Sequence, residues 1–166
     1  GPAILQYLAD AAGAEKLAPK AGSLPRARVN EAMTYVSSEL HPAFSPLFNP
    51  TMPEEAKTIF RDKINKTLGY IDGKLAGKDY LMGSQFSVAD GYLFTILRWA
   101  MGQKFELPAN LKTYFDRVAA RALANYGIGA LVVTADGTTV DGLVSERDVA
   151  HAVARHGHDA LTRQVA

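Results

Sequence analysis

The sequence predicts a mainly α protein: a helical bundle with a short β-hairpin and one further helix appended. Three observations predict it. Apolar residues recur at helical spacing through most of the chain as far as about Asn125. One segment, Ser87 to Met101, is apolar on every side, the mark of a helix buried at the centre of a bundle. At Gly127 the period changes once, from helical to strand-like.

Gly1 to about Leu8 opens as a helix, and Pro2 suits its first turn, where a missing N–H goes unnoticed. Ala11 to Ser23 is small, glycine-containing and loop-like. In Leu24 to Leu40, Val29, Ala32, Met33, Val36 and Leu40 form one helical stripe. Pro42 and Pro46 follow, and they predict a bend or break near His41. Pro53 to Leu75 is the clearest amphipathic helix, with Ala56, Ile59, Phe60, Ile64, Leu68, Ile71 and Leu75 along one side. Lys57, Arg61, Asp62, Lys66 and Lys74 fall on its other sides. After the central helix, Leu107 to about Asn125 is amphipathic again. Ile128 to Val133 and Val140 to Val144 read as strands joined by a turn at Asp136-Gly137. Ser145 can cap a last helix that runs to His156 and stops at Gly157. No segment repeats. The change of character places a boundary near residues 121–127, giving domains 1–121 and 122–166.

Composition narrows the function. Among 166 residues, 18 Lys and Arg against 17 Asp and Glu leave a net charge of +1, with the signs interspersed, so no basic footprint for nucleic acid or anionic membrane emerges. Without cysteine there is no disulfide, no thiolate metal site and no cysteine nucleophile. No apolar run approaches the roughly 20 residues needed to span a bilayer. The opening Gly1-Pro2-Ala3-Ile4-Leu5 lacks a charged leader, so a cytoplasmic location is expected.

The most informative stretch is Met82-Gly83-Ser84-Gln85-Phe86-Ser87-Val88-Ala89-Asp90. Ser87 can accept from the Asp90 amide while Asp90 reaches back to the Ser87 amide, a capping box with Asp in place of Glu. A buried helix end cannot satisfy its amides with water, so an architectural Asp90 is the plainer reading than a catalytic acid. The hydrophobic staple that normally accompanies such a box pairs the residue before the cap with the fourth helical residue. Here those are Phe86 and Gly91, and the glycine has no side chain to complete the staple with Phe86.

That stretch, together with Gly1-Pro2-Ala3-Ile4-Leu5-Gln6-Tyr7-Leu8 and Ser38-Glu39-Leu40-His41, resembles the glutathione transferases, most closely the bacterial beta class, over about residues 1–121. The resemblance implies the all-helical C-terminal domain of that family. In the family a thioredoxin-like N-terminal domain binds glutathione and supplies the catalytic group, and this chain begins where that domain ends. It is therefore expected to be inactive on its own, with glutathione a co-substrate only when the missing domain is supplied and no other cofactor required. By position, His41 matches a beta-class histidine that faces glutathione and is the catalytic candidate. Gly1 matches the small residue after the acidic group that holds the γ-glutamyl amine. Thr34 stands where an asparagine often contacts glutathione. Phe44, Phe48 and Trp99 match residues lining the pocket for a small hydrophobic electrophile. A homodimer is compatible with the resemblance. Taken from the residues alone, His41 is more simply a dipole partner at a helix C-terminus, and the three aromatics are more simply core packing.

A second pattern follows. Ile128-Gly129-Ala130-Leu131-Val132-Val133, Gly142-Leu143-Val144-Ser145-Glu146-Arg147-Asp148 and the tail from Ala154 to Leu161 resemble part of a CBS domain. The resemblance implies an adenine nucleotide, AMP or ATP, with Ser145 at phosphate, Asp148 at ribose, and Ala130 and Val132 against adenine. The helix amides behind Ser145 would favour phosphate. The plainer alternative is that Ser145 and Asp148 only cap a helix, because the motif is incomplete. Two family patterns meeting in one chain suggest a mosaic. A third reading is a folded domain that binds no ligand. His156-x-His158 and the pair Glu54 and Glu55 are read as a helix C-terminus and a charged first turn, and no metal site is expected.

Overall fold

The computed structural model describes residues 1–126, 131–133 and 142–144. Among the described residues six α-helices are formed: α1 (Pro2–Ala11), α2 (Leu24–Tyr35), α3 (His41–Phe48), α4 (Glu54–Leu75), α5 (Val88–Gly102) and α6 (Ala109–Tyr126). The chain divides into two compact units, Gly1–Val118 and Ala119–Ala166.

Of the bend or break expected near His41, the break does not occur. Helical backbone continues from α2 through a five-residue π-helical turn, Val36–Leu40, directly into α3. The His41 N–H bonds to the Val36 carbonyl, five residues back. The prolines are absorbed by position. Pro42 stands in the first turn of α3, directly after the π-turn. Pro46 lies inside a helix of only eight residues.

The core of the first unit is built around α5. Its Leu93, Ile96, Leu97 and Ala100 are buried with Ile64, Leu68, Ile71 and Leu75 of α4, Leu40 and Phe44 before and within α3, and Leu111, Tyr114 and Val118 of α6. A second cluster joins Ala9 of α1, Ala18, Val29 and Met33 of α2, and Val88 and Ala89 of α5. Arg26 clamps α1 to α2. Only 6% exposed, it donates to both carboxylate oxygens of Asp10 at 2.9 and 2.7 Å, to the Pro19 carbonyl at 2.7 Å and to Gln6 Oε1 at 3.2 Å. The N-terminus of α6 is capped from another helix: Asp72 of α4 accepts from the Leu111 amide at 2.9 Å and from Asn110 Nδ2 at 2.9 Å.

In the second unit, β1 (Leu131–Val133) and β2 (Gly142–Val144) pair antiparallel, with Leu131 opposite Val144 and Val133 opposite Gly142. The turn at Asp136-Gly137 and the helix expected from Ser145 to His156 lie outside the described residues. No described helix is long and apolar enough to cross a membrane.

Candidate functional site

In α3, His41, Phe44 and Phe48 are three and then four residues apart, so they share one face. In α5, Tyr92 and Trp99 are seven apart and also share a face. The fold brings these five rings together. Trp99 meets His41 edge-on, with centroids 4.9 Å apart, Phe48 at 5.5 Å and Phe44 at 6.2 Å. Phe44 also contacts Phe105 at 5.8 Å, and the Arg61 guanidinium lies over the Phe105 ring at 5.1 Å. Phe44 is fully buried, whereas Phe48 is 49% exposed and His41 and Trp99 are partly so. An accessible aromatic wall with an imidazole beside it can hold a flat apolar molecule and offer one hydrogen bond to a polar atom on it.

His41 Nδ1 lies 2.6 Å from the Tyr92 hydroxyl. Burial pushes the Tyr92 phenol above its ordinary value, which keeps the O–H protonated. Tyr92, Phe105 and Arg61 were missed as site residues by sequence reasoning. The seven-residue spacing of Tyr92 and Trp99 was the signal for the first; nothing local announces the other two.

Gly1 and Thr34 do not join this cluster among the described contacts. Gly1 is exposed at the start of α1, where its carbonyl accepts from the Ile4 amide. Thr34 is exposed near the end of α2 and its carbonyl accepts from the Ser37 hydroxyl at 3.0 Å. Ala130, Ser145 and Asp148 lie outside the described residues, as do His156 and His158, while Val132 is the middle residue of β1. Among the described residues, no group of three His, Asp or Glu side chains gathers as metal ligands.

Ser87 and Asp90 form the capping box. Fully buried Asp90 does more than cap. Its Oδ2 accepts from the Ser87 amide at 2.7 Å and the Ser87 hydroxyl at 2.8 Å, and its Oδ1 from the Leu81 amide at 2.8 Å and the Tyr114 hydroxyl at 3.1 Å. Burial pushes the carboxyl above its ordinary value, and those four donors pull against it. Both oxygens are thus taken up in tying the start of α5 to the 81–87 segment and to α6.

A cavity of about 600 Å³ opens elsewhere, between α2, α4 and the 81–87 segment. The ring pair Tyr35 and Tyr70 lines it together with Lys16, Lys74 and Lys78, and of the candidate residues Ser87 alone borders it.

Comparison with known proteins bears on this arrangement. The sequence pattern described as "Glutathione S-transferase, C-terminal domain" matches residues 35–122. The chain is 38% identical over 123 residues to glutathione S-transferase GstA of Escherichia coli O157:H7, a span of 73% of this chain and 61% of that protein. A bacterial beta-class glutathione S-transferase from Sphingomonas chungbukensis superimposes with a TM-score of 0.68 at 41% identity, covering 72% of this chain and 61% of that one. A sphingomonad glutathione S-transferase solved with glutathione gives a TM-score of 0.67 at 38% identity, covering 76% and 67%. The chain thus spans about three fifths of the length of the curated relatives it matches.

Proposed function

Since the chain belongs to the glutathione S-transferase family, we propose that it is the electrophile-pocket half of a glutathione-conjugating enzyme. Phe44, Phe48 and Trp99 hold a small hydrophobic electrophile, and His41 faces the thiol of glutathione. The observation that carries this reading is the convergence of the four residues, from α3 and α5, on one partly exposed aromatic wall. Phe48, 49% exposed, leaves that wall open to a ligand.

Conjugation also requires stabilisation of the attacking thiolate and of charge developing in the transition state. In this reading the thioredoxin-like half of the family supplies the groups that generate the thiolate and hold glutathione, and Gly1 and Thr34 reach glutathione only in its presence. The test joins such a domain from a beta-class relative ahead of Gly1 and measures transfer of glutathione to an aromatic halide. The 166-residue chain alone should give no turnover above the uncatalysed rate. The fusion should turn over, with KM for the halide raised by Trp99→Ala and Phe48→Ala. Turnover by the chain alone that disappears in His41→Ala would place the whole active site here and overturn the reading.

Two finer assignments accompany it. A homodimer would cover the groove marked by Tyr35 and Tyr70, and sedimentation of the native chain against Tyr70→Glu tests it. AMP or ATP on Ala130, Val132, Ser145 and Asp148 is the alternative, CBS-type function, and the family match ending at residue 122 does not bear on it.

A further inference from the structure

A histidine beside a ligand acts as donor, as acceptor or as base according to which ring nitrogen carries the proton, and the partner of the other nitrogen decides that. Here the partner is Tyr92, fifty-one residues away in sequence.

The Tyr92 hydroxyl is 8% exposed as part of its residue, and Nδ1 of His41 is its one hydrogen-bond partner among the described residues. Two arrangements are conceivable. In one, Nδ1–H donates to the phenol oxygen. The phenol hydrogen is then left without an acceptor, which buried polar groups in folded proteins avoid. In the other, the phenol donates to the Nδ1 lone pair and nothing is left over. At 2.6 Å the two groups make one short, direct hydrogen bond, with no room for another group between them. The elevated phenol value, caused by burial, keeps the hydrogen on oxygen.

We propose that Tyr92 is a positioning residue: by donating its hydroxyl hydrogen to Nδ1, it locks His41 as the Nε2–H tautomer and so makes the imidazole a hydrogen-bond donor. The edge-on Trp99 ring at 4.9 Å holds the same imidazole in orientation. The consequence for ligand chemistry is specific. Nε2–H has no lone pair, so the site is suited neither to a metal ion nor to removing a proton from a thiol. It is suited to an electron-rich atom that already bears charge, a thiolate sulfur or a carboxylate oxygen. Resting on the glutathione reading above, the role of His41 is to stabilise the thiolate and not to generate it.

The lock is read directly from imidazole ¹⁵N shifts, in long-range ¹H–¹⁵N spectra of the native chain. His41 is identified among the four histidines by its loss in His41→Gln. With the ring neutral, Nε2 should show a protonated, pyrrole-type shift and Nδ1 an unprotonated, hydrogen-bonded one. In Tyr92→Phe, the hydrogen-bonded signature at Nδ1 should vanish and both shifts move toward a tautomer average. A purely structural role for Tyr92 would leave the shifts alone. Protonated Nδ1 in the native chain, or shifts unchanged in Tyr92→Phe, overturns the proposal. The native spectrum decides the tautomer even where the variant fails to fold. No thiol is needed, so a locked tautomer together with an inert two-domain fusion would sink the glutathione reading alone.

Discussion

Replacing Asp90 with alanine should be among the most damaging single changes in the helical unit. The side chain is fully buried and accepts four hydrogen bonds. Two of the donors can find other acceptors. The Tyr114 hydroxyl already lies 3.2 Å from the Asp90 carbonyl, and the Ser87 hydroxyl can rotate. The amides of Leu81 and Ser87 are fixed by the backbone and would be orphaned, at about 1–3 kcal/mol each. The expected loss is therefore about 2–5 kcal/mol, more than the ~1 kcal/mol of an ordinary helix cap. Asp90→Asn separates the two sides of the group. Its amide oxygen can still serve Leu81 and Tyr114, but its NH₂ then faces the Ser87 amide, donor against donor. One orphan in place of two predicts roughly half the loss, about 1–3 kcal/mol. Urea denaturation followed by far-UV circular dichroism would measure both. With a slope of about 1–3 kcal/mol per molar urea, the alanine variant's midpoint should fall by about 1 M or more. An alanine variant within about 0.5 kcal/mol of the native chain, or an asparagine variant worse than alanine, would refute the reasoning.

Three further outcomes are expected. Gly91→Ala should stabilise by about 0.5–1 kcal/mol through reduced freedom of the unfolded chain. A Cβ there would meet Phe86 Cζ at 3.9 Å, an ordinary contact that begins to restore the staple, so a lower denaturant midpoint would contradict it. The hydrogen bond from Arg26 holds the Asp10 carboxyl below its ordinary value near 3.8. The folded value is thus below the unfolded one, so the pair's stabilisation is full above the unfolded value and is lost as pH falls through the folded one. Melting temperatures of the native chain and Asp10→Asn should differ near neutral pH and converge in acid, below 3.8. If Ser145 and Asp148 hold a nucleotide, AMP or ATP should raise the melting temperature and Asp148→Ala should abolish the rise; no shift at millimolar nucleotide removes that alternative.

What could be read from the sequence was what depends on neighbouring residues. The all-round apolar run announced α5 as the central helix, and Ser87 with Asp90 announced its start, because both are signals confined to a few positions. The aromatic wall was partly visible, since helical spacing puts His41, Phe44 and Phe48 on one face. Spacing shows which face a residue occupies and not what meets it across the bundle. Hence the Tyr92 partner of His41, the Arg26 clamp on Asp10 and the Asp72 cap on α6 went unseen, at separations of 51, 16 and 39 residues. The expected break at His41 failed for a related reason. Proline penalties assume a regular helix before the ring, and here the preceding turn is wider than regular.

That wider turn makes residue count, more than residue identity, the information stored between Val36 and Leu40. A π-turn holds one residue beyond the α repeat, and each residue advances a helix by about 100°. The insertion therefore sets the angular phase at which α3 leaves α2. Ser37, Ser38 and Glu39 are at least partly exposed, and other side chains there should leave the wall intact. Deleting one of them would remove the extra residue and change that phase by one residue's advance. His41, Phe44 and Phe48 would then swing about a quarter turn away from Tyr92 and Trp99, although none of the five had been altered. The segment works as a spacer, permissive to substitution and intolerant of a change in length.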